Sequence, residues 1–330
     1  MISAFTRRGI LASGAALATV PLLGRSVFAQ AWRPTKPVRV VCGYPAGGGS
    51  DALARAFADF LSKNLGQPFV VENKAGAGGT VAAVEVKRAA PDGYTLMYTI
   101  STTMIMNKVL YKNLQYDPDK DFDLISYVPV PGLPLVVSTQ TGCQNLAEFV
   151  AFARREKTNV GTYGAGSFAH MCIAEVNKFY DLKIEAVHYR GEAPMWTDLA
   201  AGSIQGAIGG AVPGLNVINS GKGKAVAMLS RKRLQKMPDV PTFLELGANT
   251  KFFGLMGYTC MVAPAGLPNE IAETYSRLCV AAGNDAQTWQ RMQAAGAEDP
   301  PMDRQDFKRV QRDEAPIWLE LAGSLGLTPE

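Results

Sequence analysis

The sequence predicts an α/β protein of two lobes, each a mainly parallel sheet flanked by helices, with two crossover segments joining them. Three observations lead there. Short β-branched apolar runs alternate with glycine-rich breaks and segments of helical spacing, the pattern of parallel strands connected by helices. Two proline-punctuated passages, near 117–134 and 230–241, interrupt that alternation and read as a crossing out and a crossing back. Finally, 330 residues that are 47% apolar and 19% charged can bury one or two sizeable cores and are too apolar for a disordered chain. The 33 glycines follow no G-X-Y period, which excludes a collagen-like chain.

Residues 1–29 have the three parts of an export signal. Arg7-Arg8 precedes an apolar stretch at 10–23, and small residues follow at Ala29 or Ala31 for cleavage. The paired arginine resembles a twin-arginine signal; an ordinary secretory leader fits as well. Its glycines and Pro21 make it too short and broken for a membrane span of about 20 residues. The formal charge of +4 sits largely in this leader, because Arg7, Arg8 and Arg25 are unopposed there. Without them 30 basic residues face 29 acidic ones, and a nucleic-acid partner is not expected.

The first lobe is expected to comprise 30–131 and 230–330, the second 132–229. In the first, the run Val38-Arg39-Val40-Val41-Cys42 leads through a glycine loop to a helix over 52–65, with Ser50-Asp51 as its cap. A strand at 69–72, a second glycine break at 76–79, a helix at 81–89 capped by Thr80, and a strand at 94–99 follow. The second lobe begins with a strand at 135–138. After it come a helix at 146–157, a strand at 159–162, a break at 163–167, a helix at 171–180, a strand at 184–189, a break at 190–194 and a helix to Ala201; a strand at 225–229 ends the lobe. Apolar 255–263 and amphipathic helices at 269–282, 286–295 and 304–323 complete the first lobe. Two lobes with paired crossings enclose a cleft that a hinge can close on a small ligand.

The glycine breaks at 43–51, 76–80, 161–170 and 190–194 lie between strand ends and helix starts, where free N–H groups and a partial positive charge favour an anion. No lysine follows Gly47–Gly49, so a nucleotide triphosphate loop is not expected. A dinucleotide site is the alternative: Gly47-x-Gly49-x-x-Ala52 opens a helix and Glu72 ends the next strand, although the loop is longer than that fingerprint needs. On that alternative the chain is an exported oxidoreductase using NAD(P).

Catalytic patterns are scarce. Ser167 and His170 are three apart at a helix start, where a serine is better read as a cap or a ligand hydrogen bond than as a nucleophile. His188 reads as a packed or cleft-lining residue. The five cysteines have no short metal or redox spacing, and Cys42 reads as a small buried hydrophobe. Asp117, Asp119, Asp121 and Asp123 lack the glycine and distal glutamate of a calcium loop. The basic residues between Lys222 and Lys236 read as exposed connections. Neither a metal, nor a cofactor, nor catalysis is expected.

Several separate motifs then agree in order. Tyr44-Pro45-Ala46-Gly47-Gly48-Gly49-Ser50-Asp51, Val71-Glu72-Asn73-Lys74-Ala75-Gly76-Ala77-Gly78-Gly79, Pro91-Asp92-Gly93-Tyr94-Thr95-Leu96 and Pro238-Asp239-Val240-Pro241-Thr242 resemble the solute receptors of tripartite tricarboxylate transporters, the Bug family. The resemblance implies a periplasmic binding protein fold of type II-like topology. It implies a monomer that closes on a small mono- or dicarboxylate and delivers it to membrane subunits, one large and one small, or to a sensor kinase. Carried onto matching positions, it places Tyr44, Pro45, Ala46, Gly47, Gly48, Ser50 and Asp51 on one side of the ligand. Thr162, Gly164, Gly166, Ser167 and His170 lie on the other, and Ser101, Thr102, Tyr189 and Arg190 face the rest of it. Departures at Tyr163-Gly164, where the family often has proline, at Arg190, where it has lysine, and at Met195-Trp196, which replaces smaller residues, bear on ligand size.

Overall fold

Apolar runs become strands here because both faces of each sheet are covered. In the computed structural model, which describes Met1, residues 32–130 and residues 132–324, the first sheet contains β1 (Val38–Cys42), β2 (Phe69–Asn73), β3 (Thr95–Ile100), β4 (Phe122–Pro129) and β10 (Tyr258–Pro264). The second contains β5 (Leu133–Ser138), β6 (Asn159–Thr162), β7 (Glu185–His188), β8 (Gly206–Ile208) and β9 (Gly223–Leu229). The helices are α1 (Gly49–Leu65), α2 (Thr80–Val86), α3 (Asn107–Leu110), α4 (Leu146–Arg155), α5 (Phe168–Tyr180), α6 (Glu192–Ala201), α7 (Ala211–Asn219), α8 (Asn269–Ala282), α9 (Ala286–Ala294) and α10 (Arg304–Ser324). The expected export signal lies outside the described residues, Met1 excepted.

The strand order is β2-β1-β3-β10-β4 in one sheet and β7-β6-β8-β5-β9 in the other. Pairing is parallel among β2, β1 and β3, while β10 is antiparallel to both its neighbours; β4 therefore runs with β3. The second sheet repeats this: β7, β6 and β8 are parallel, and β5 is antiparallel to β8 and β9. Each sheet thus has four strands in one direction and a single reversed strand. The reversed strand is the first one formed after the chain arrives from the other sheet, β5 following β4 and β10 following β9.

Val38, Val40 and Cys42 bury one face of β1 with Leu53, Phe57 and Leu61 of α1, while Val41 faces Ala82, Ala83 and Val86 of α2. That second cluster continues without a break from Met97 of the first sheet to Val160, Ala169 and Ile173 of the second. The described residues from Trp32 onward accordingly form one compact unit. Phe168 at the start of α5 is the join, with its ring centroid 4.7 Å from Trp318 in α10 and 5.3 Å from Phe252.

Several elements differ from the sequence reading. β8 and α7 fall in the stretch 202–224, where the sequence carries no clear signal, because β8 is three residues long amid glycines and α7 contains Pro213 and Gly214, both poor helix formers. Strand β4 arises in a stretch that reads as polar and proline-dense; it forms because Tyr258–Pro264 pairs along its length. Helix α1 starts earlier than its expected Ser50-Asp51 cap, with Gly48 at the N-cap, and Gly79 replaces Thr80 at the start of α2. After β3 the backbone takes a single π-turn at Thr102–Met106, a form often found at functional sites. All five cysteines are free and buried. The basic residues of the returning segment are paired rather than merely solvated: Arg231 with Glu314, Lys232 with Asp299 and Arg233 with Glu245.

Trp318 is 1% exposed and closes the join between the sheets. The substitution Trp318→Ala is expected to lower stability by about 3–5 kcal/mol in urea unfolding. An unchanged midpoint would show that the continuous core does not hold the lobes together.

Candidate functional site

Reversing one strand in each sheet sorts the helix starts. Helices that follow the co-directed strands β1, β6, β7 and β8 begin at the carboxyl edge of their sheet, whereas α4 and α8 follow reversed strands and begin at the opposite edge. Capping divides in nearly the same way. The N-caps of α1, α6 and α7 are Gly48, Gly191 and Gly210, none of which supplies a side chain. By contrast, Asn145 and Asp285 accept first-turn N–H groups of α4 and α9, and Asp303 does so for α10. The first N–H groups of a helix have no partner within it, so a carboxyl edge without caps presents open donors and the positive end of each helix dipole.

The two carboxyl edges meet. Gly166 (φ +63°) leaves room for Leu110, whose side chain lies only 2.2 Å from where a Cβ would stand. Phe168 likewise lies 3.4 Å from the Cβ position of Gly257.

On the first edge, the loop leading into α1 is held from beneath. The buried Asp51 carboxylate accepts the Gly47 N–H at 2.9 Å, Arg55 Nε at 3.0 Å and Asn73 Nδ2 at 2.9 Å. Burial alone would raise its pKa, but these donors outweigh burial and hold the carboxyl below its usual range. Asp51 is therefore an anchor for the loop, with its oxygens already engaged. Asn73 also donates to the Tyr44 carbonyl at 2.9 Å, while the Tyr44 hydroxyl lies 3.3 Å from both the Gly78 carbonyl and Thr103 Oγ1. Pro45, Ala46, Gly47 and Gly48 are exposed, and Ser50 is half-buried behind them. Ser101 and Thr102 are buried where β3 enters the π-turn.

On the second edge, Ser167 is the N-cap of α5 and accepts the His170 N–H at 3.3 Å. The Gly166 N–H donates to His170 Nδ1 at 3.0 Å, which places the imidazole proton on Nε2. Ser167 and His170 thus meet through a main-chain donor, and the imidazole does not activate the hydroxyl. Thr162 Oγ1 gives its proton to the Gly164 carbonyl at 3.2 Å and lies 2.8 Å from His188 Nδ1. The His170 and His188 rings sit 4.3 Å apart. Burial first, and then the neighbouring His188, lower His170 to about 4, so it is neutral at pH 7.

Not every expected residue joins this group. Tyr189 turns its hydroxyl to Asp198 at 2.6 Å and packs with the cluster of Met195 and Trp196, while Arg190 is exposed. Sequence reasoning assigned no role to Asn73, Leu110 or Glu192, and treated Tyr163 only as a departure. Of these, Asn73 alone carried a signal, standing within the quoted Val71–Gly79 motif, and its work of tying β2 to the loop is a tertiary contact. Glu72, the expected ribose ligand of the dinucleotide alternative, is instead paired with Arg39 at 2.9 Å. A separate cavity of about 420 Å³ beside Lys108, Phe122 and Leu319 shares no residue with these loops. Among the described residues no group of three or more His, Cys, Asp or Glu could hold a metal ion, and no helix is long and apolar enough to cross a membrane.

Two outcomes test this geometry. Asp51→Ala removes the acceptor for Gly47, Arg55 and Asn73 together and is expected to cost about 1–3 kcal/mol, read by thermal unfolding; no loss would free Asp51 from its anchoring role. His170 binds a proton in the unfolded chain near pH 6.5 but not in the folded one until about pH 4. The unfolded state therefore binds more protons across that window, and stability should rise from pH 4 to 6.5 and level off above it. His170→Gln should flatten this rise, and an identical pH slope in both proteins would contradict the assignment.

The tripartite tricarboxylate transporter family receptor model matches residues 53–327. Among solved structures, the chain is similar to R. palustris Rpa4515 with adipate, at 27% identity and a TM-score of 0.82, covering 90% of this chain and 99% of that one. It is similar to the periplasmic binding protein BugD at 28% identity and a TM-score of 0.78, covering 90% and 100%. MatC from Rhodopseudomonas palustris with bound malate is 28% identical with a TM-score of 0.71, covering 88% and 98%. A solute-receptor family of this fold displaces the oxidoreductase alternative, and the chain belongs to the tripartite tricarboxylate transporter family receptors.

Proposed function

We propose that the chain is an extracytoplasmic receptor that captures a small mono- or dicarboxylate between its lobes and hands it to a tripartite tricarboxylate transporter permease. Residues 1–29 direct export to the periplasm and are removed. Residues 30–131 with 230–330 form one lobe and 132–229 the other. The receptor acts as a monomer and docks on the large and small membrane subunits.

The observation that carries this reading is the meeting of two carboxyl edges whose helix starts are open. Helices α1, α6 and α7 have glycine N-caps, and Ser167 of α5 takes the N–H of His170 alone. Neutral N–H donors bind a carboxylate through charge-assisted hydrogen bonds and require no buried arginine; bridging waters let one anchor serve ligands of different length. Adipate and malate in the two related structures are both small carboxylates. On this reading the anchor is the main chain at 45–50 and at 168–169, where the ligand takes over the N–H groups now given to the Tyr163 hydroxyl, together with the hydroxyls of Ser101, Thr102 and Ser167. Hand-over favours micromolar affinity, about 8 kcal/mol, strong enough to scavenge and weak enough to release.

A thermal-shift panel of succinate, malate, glutarate and adipate set against NAD⁺ and NADP⁺ tests the class. Stabilisation by at least one carboxylate and by neither dinucleotide is expected; stabilisation by a dinucleotide alone would overturn the reading. Ser167→Ala should weaken carboxylate binding several-fold in calorimetry and cost about 1 kcal/mol of stability as a lost cap. Unchanged affinity would remove Ser167 from the anchor.

A further inference from the structure

Glu192 is a carboxylate placed among donors that are suited to binding one. It is the first residue of α6, immediately after Gly191, whose φ of +103° suits glycine. The Glu192 carboxyl reaches across to the start of α7, where Oε1 accepts the Gly210 N–H at 2.8 Å. A Cβ on residue 210 would stand 2.9 Å from Oε2, so glycine is needed there for the carboxyl to fit. The side chain thus lies between two helix starts on the carboxyl edge of the second sheet.

No cation answers it. Glu192 has no ion pair among the described residues, and Arg190, two positions earlier, is exposed. Besides the Gly210 N–H, the neighbouring polar groups are the Trp196 indole and the Tyr163 hydroxyl. Trp196 Nε1 lies beside the carboxyl and is buried; its N–H lowers the carboxyl's pKa without reaching full hydrogen-bond geometry. The Tyr163 hydroxyl interacts electrostatically with Glu192 and with Tyr44 of the first lobe, and lies against the N–H groups of Phe168 and Ala169 at the start of α5. Through Tyr163, Glu192 is coupled to the loops where the two edges meet. Burial pushes its carboxyl above the usual range, and the Gly210 N–H and the Trp196 indole offset this only in part.

We propose that Glu192 is the residue that sets ligand specificity in this receptor, selecting carboxylates whose far end carries a hydrogen-bond donor, an ammonium above all, over doubly ionised dicarboxylates. The inference rests on the carboxylate-receptor reading and specifies its ligand class. The donors at α1 and α5 hold the carboxylate end in either case. At the other end an ammonium gives the Glu192 oxygens the cation they lack, whereas a second carboxylate meets a like charge. Met195 and Trp196 pack so tightly behind Gly209, at 2.7 and 2.9 Å from its Cβ position, that the wall cannot retreat from a misplaced charge.

Calorimetry of the wild type and E192Q against two matched series tests this: 4-aminobutyrate, 5-aminopentanoate and 6-aminohexanoate versus succinate, glutarate and adipate. Glutamine keeps the shape and an oxygen for Gly210 N–H while removing the charge. The wild type is expected to prefer the best amino acid over the best dicarboxylate by at least about tenfold, the weaker end of a charge-assisted hydrogen bond, and E192Q to lose that preference. Should E192Q melt below the assay temperature, E192A provides the same comparison. A wild-type preference for dicarboxylates, or a ratio that neither variant changes, overturns the inference while leaving the receptor reading intact. Failure of the wild type to bind any carboxylate in either series overturns both.

Discussion

The reversal of one strand in each sheet is the constraint on which the rest of the structure depends. If β5 and β10 ran with their neighbours, the connections on either side of each crossing would have to return over the sheet before pairing. Because they are reversed, the chain leaves one sheet at β4 or β9 and enters the other directly, and the helices that follow β1, β6, β7 and β8 start along a common seam. The glycine N-caps follow from this placement. A side-chain cap at Gly48, Gly191 or Gly210 would consume the donors that the seam exists to present. Of the helices that start elsewhere, α4, α9 and α10 are capped by Asn145, Asp285 and Asp303, while α8 has Pro268 at its N-cap and no side-chain cap.

Presenting backbone donors is useful only if the loop that carries them is fixed, and here fixing and binding are assigned to different residues. Asp51 spends its carboxylate on Gly47, Arg55 and Asn73 beneath the loop, leaving Pro45, Ala46 and Gly48 facing outward. His170 similarly uses Nδ1 to hold Gly166, and its neutrality lets it sit beside His188 without repulsion. Preorganisation of this kind reduces the ordering cost of binding, which is why a small ligand held by neutral donors can still be captured at useful affinity.

Much of this was legible in the sequence, for identifiable reasons. Strands such as Val38–Cys42 and the helix 49–65 announce themselves because their burial is set by local periodicity, and the four glycine breaks mark the strand-to-helix corners at which the site forms. What was not legible depends on distant partners. Strand β4 exists because β10, more than a hundred residues later, pairs with it, and β8 with α7 hides behind Gly206, Pro213 and Gly214. At the site, the family resemblance grouped Tyr189 with the ligand residues, but a hydrogen bond to Asp198 turns its hydroxyl away. Glu192 carries no sequence pattern, being a single acid at a glycine break; its place against the Gly210 N–H without a cation makes it distinctive.

The central claim is that main-chain donors from both lobes hold the ligand carboxylate. A crystal structure of the receptor with a bound carboxylate tests it most directly. The account predicts carboxylate oxygens within about 2.7–3.2 Å of N–H groups at the start of α1 and at the start of α5, directly or through one water. A carboxylate held by a lysine or arginine side chain, or by one lobe alone, would contradict it.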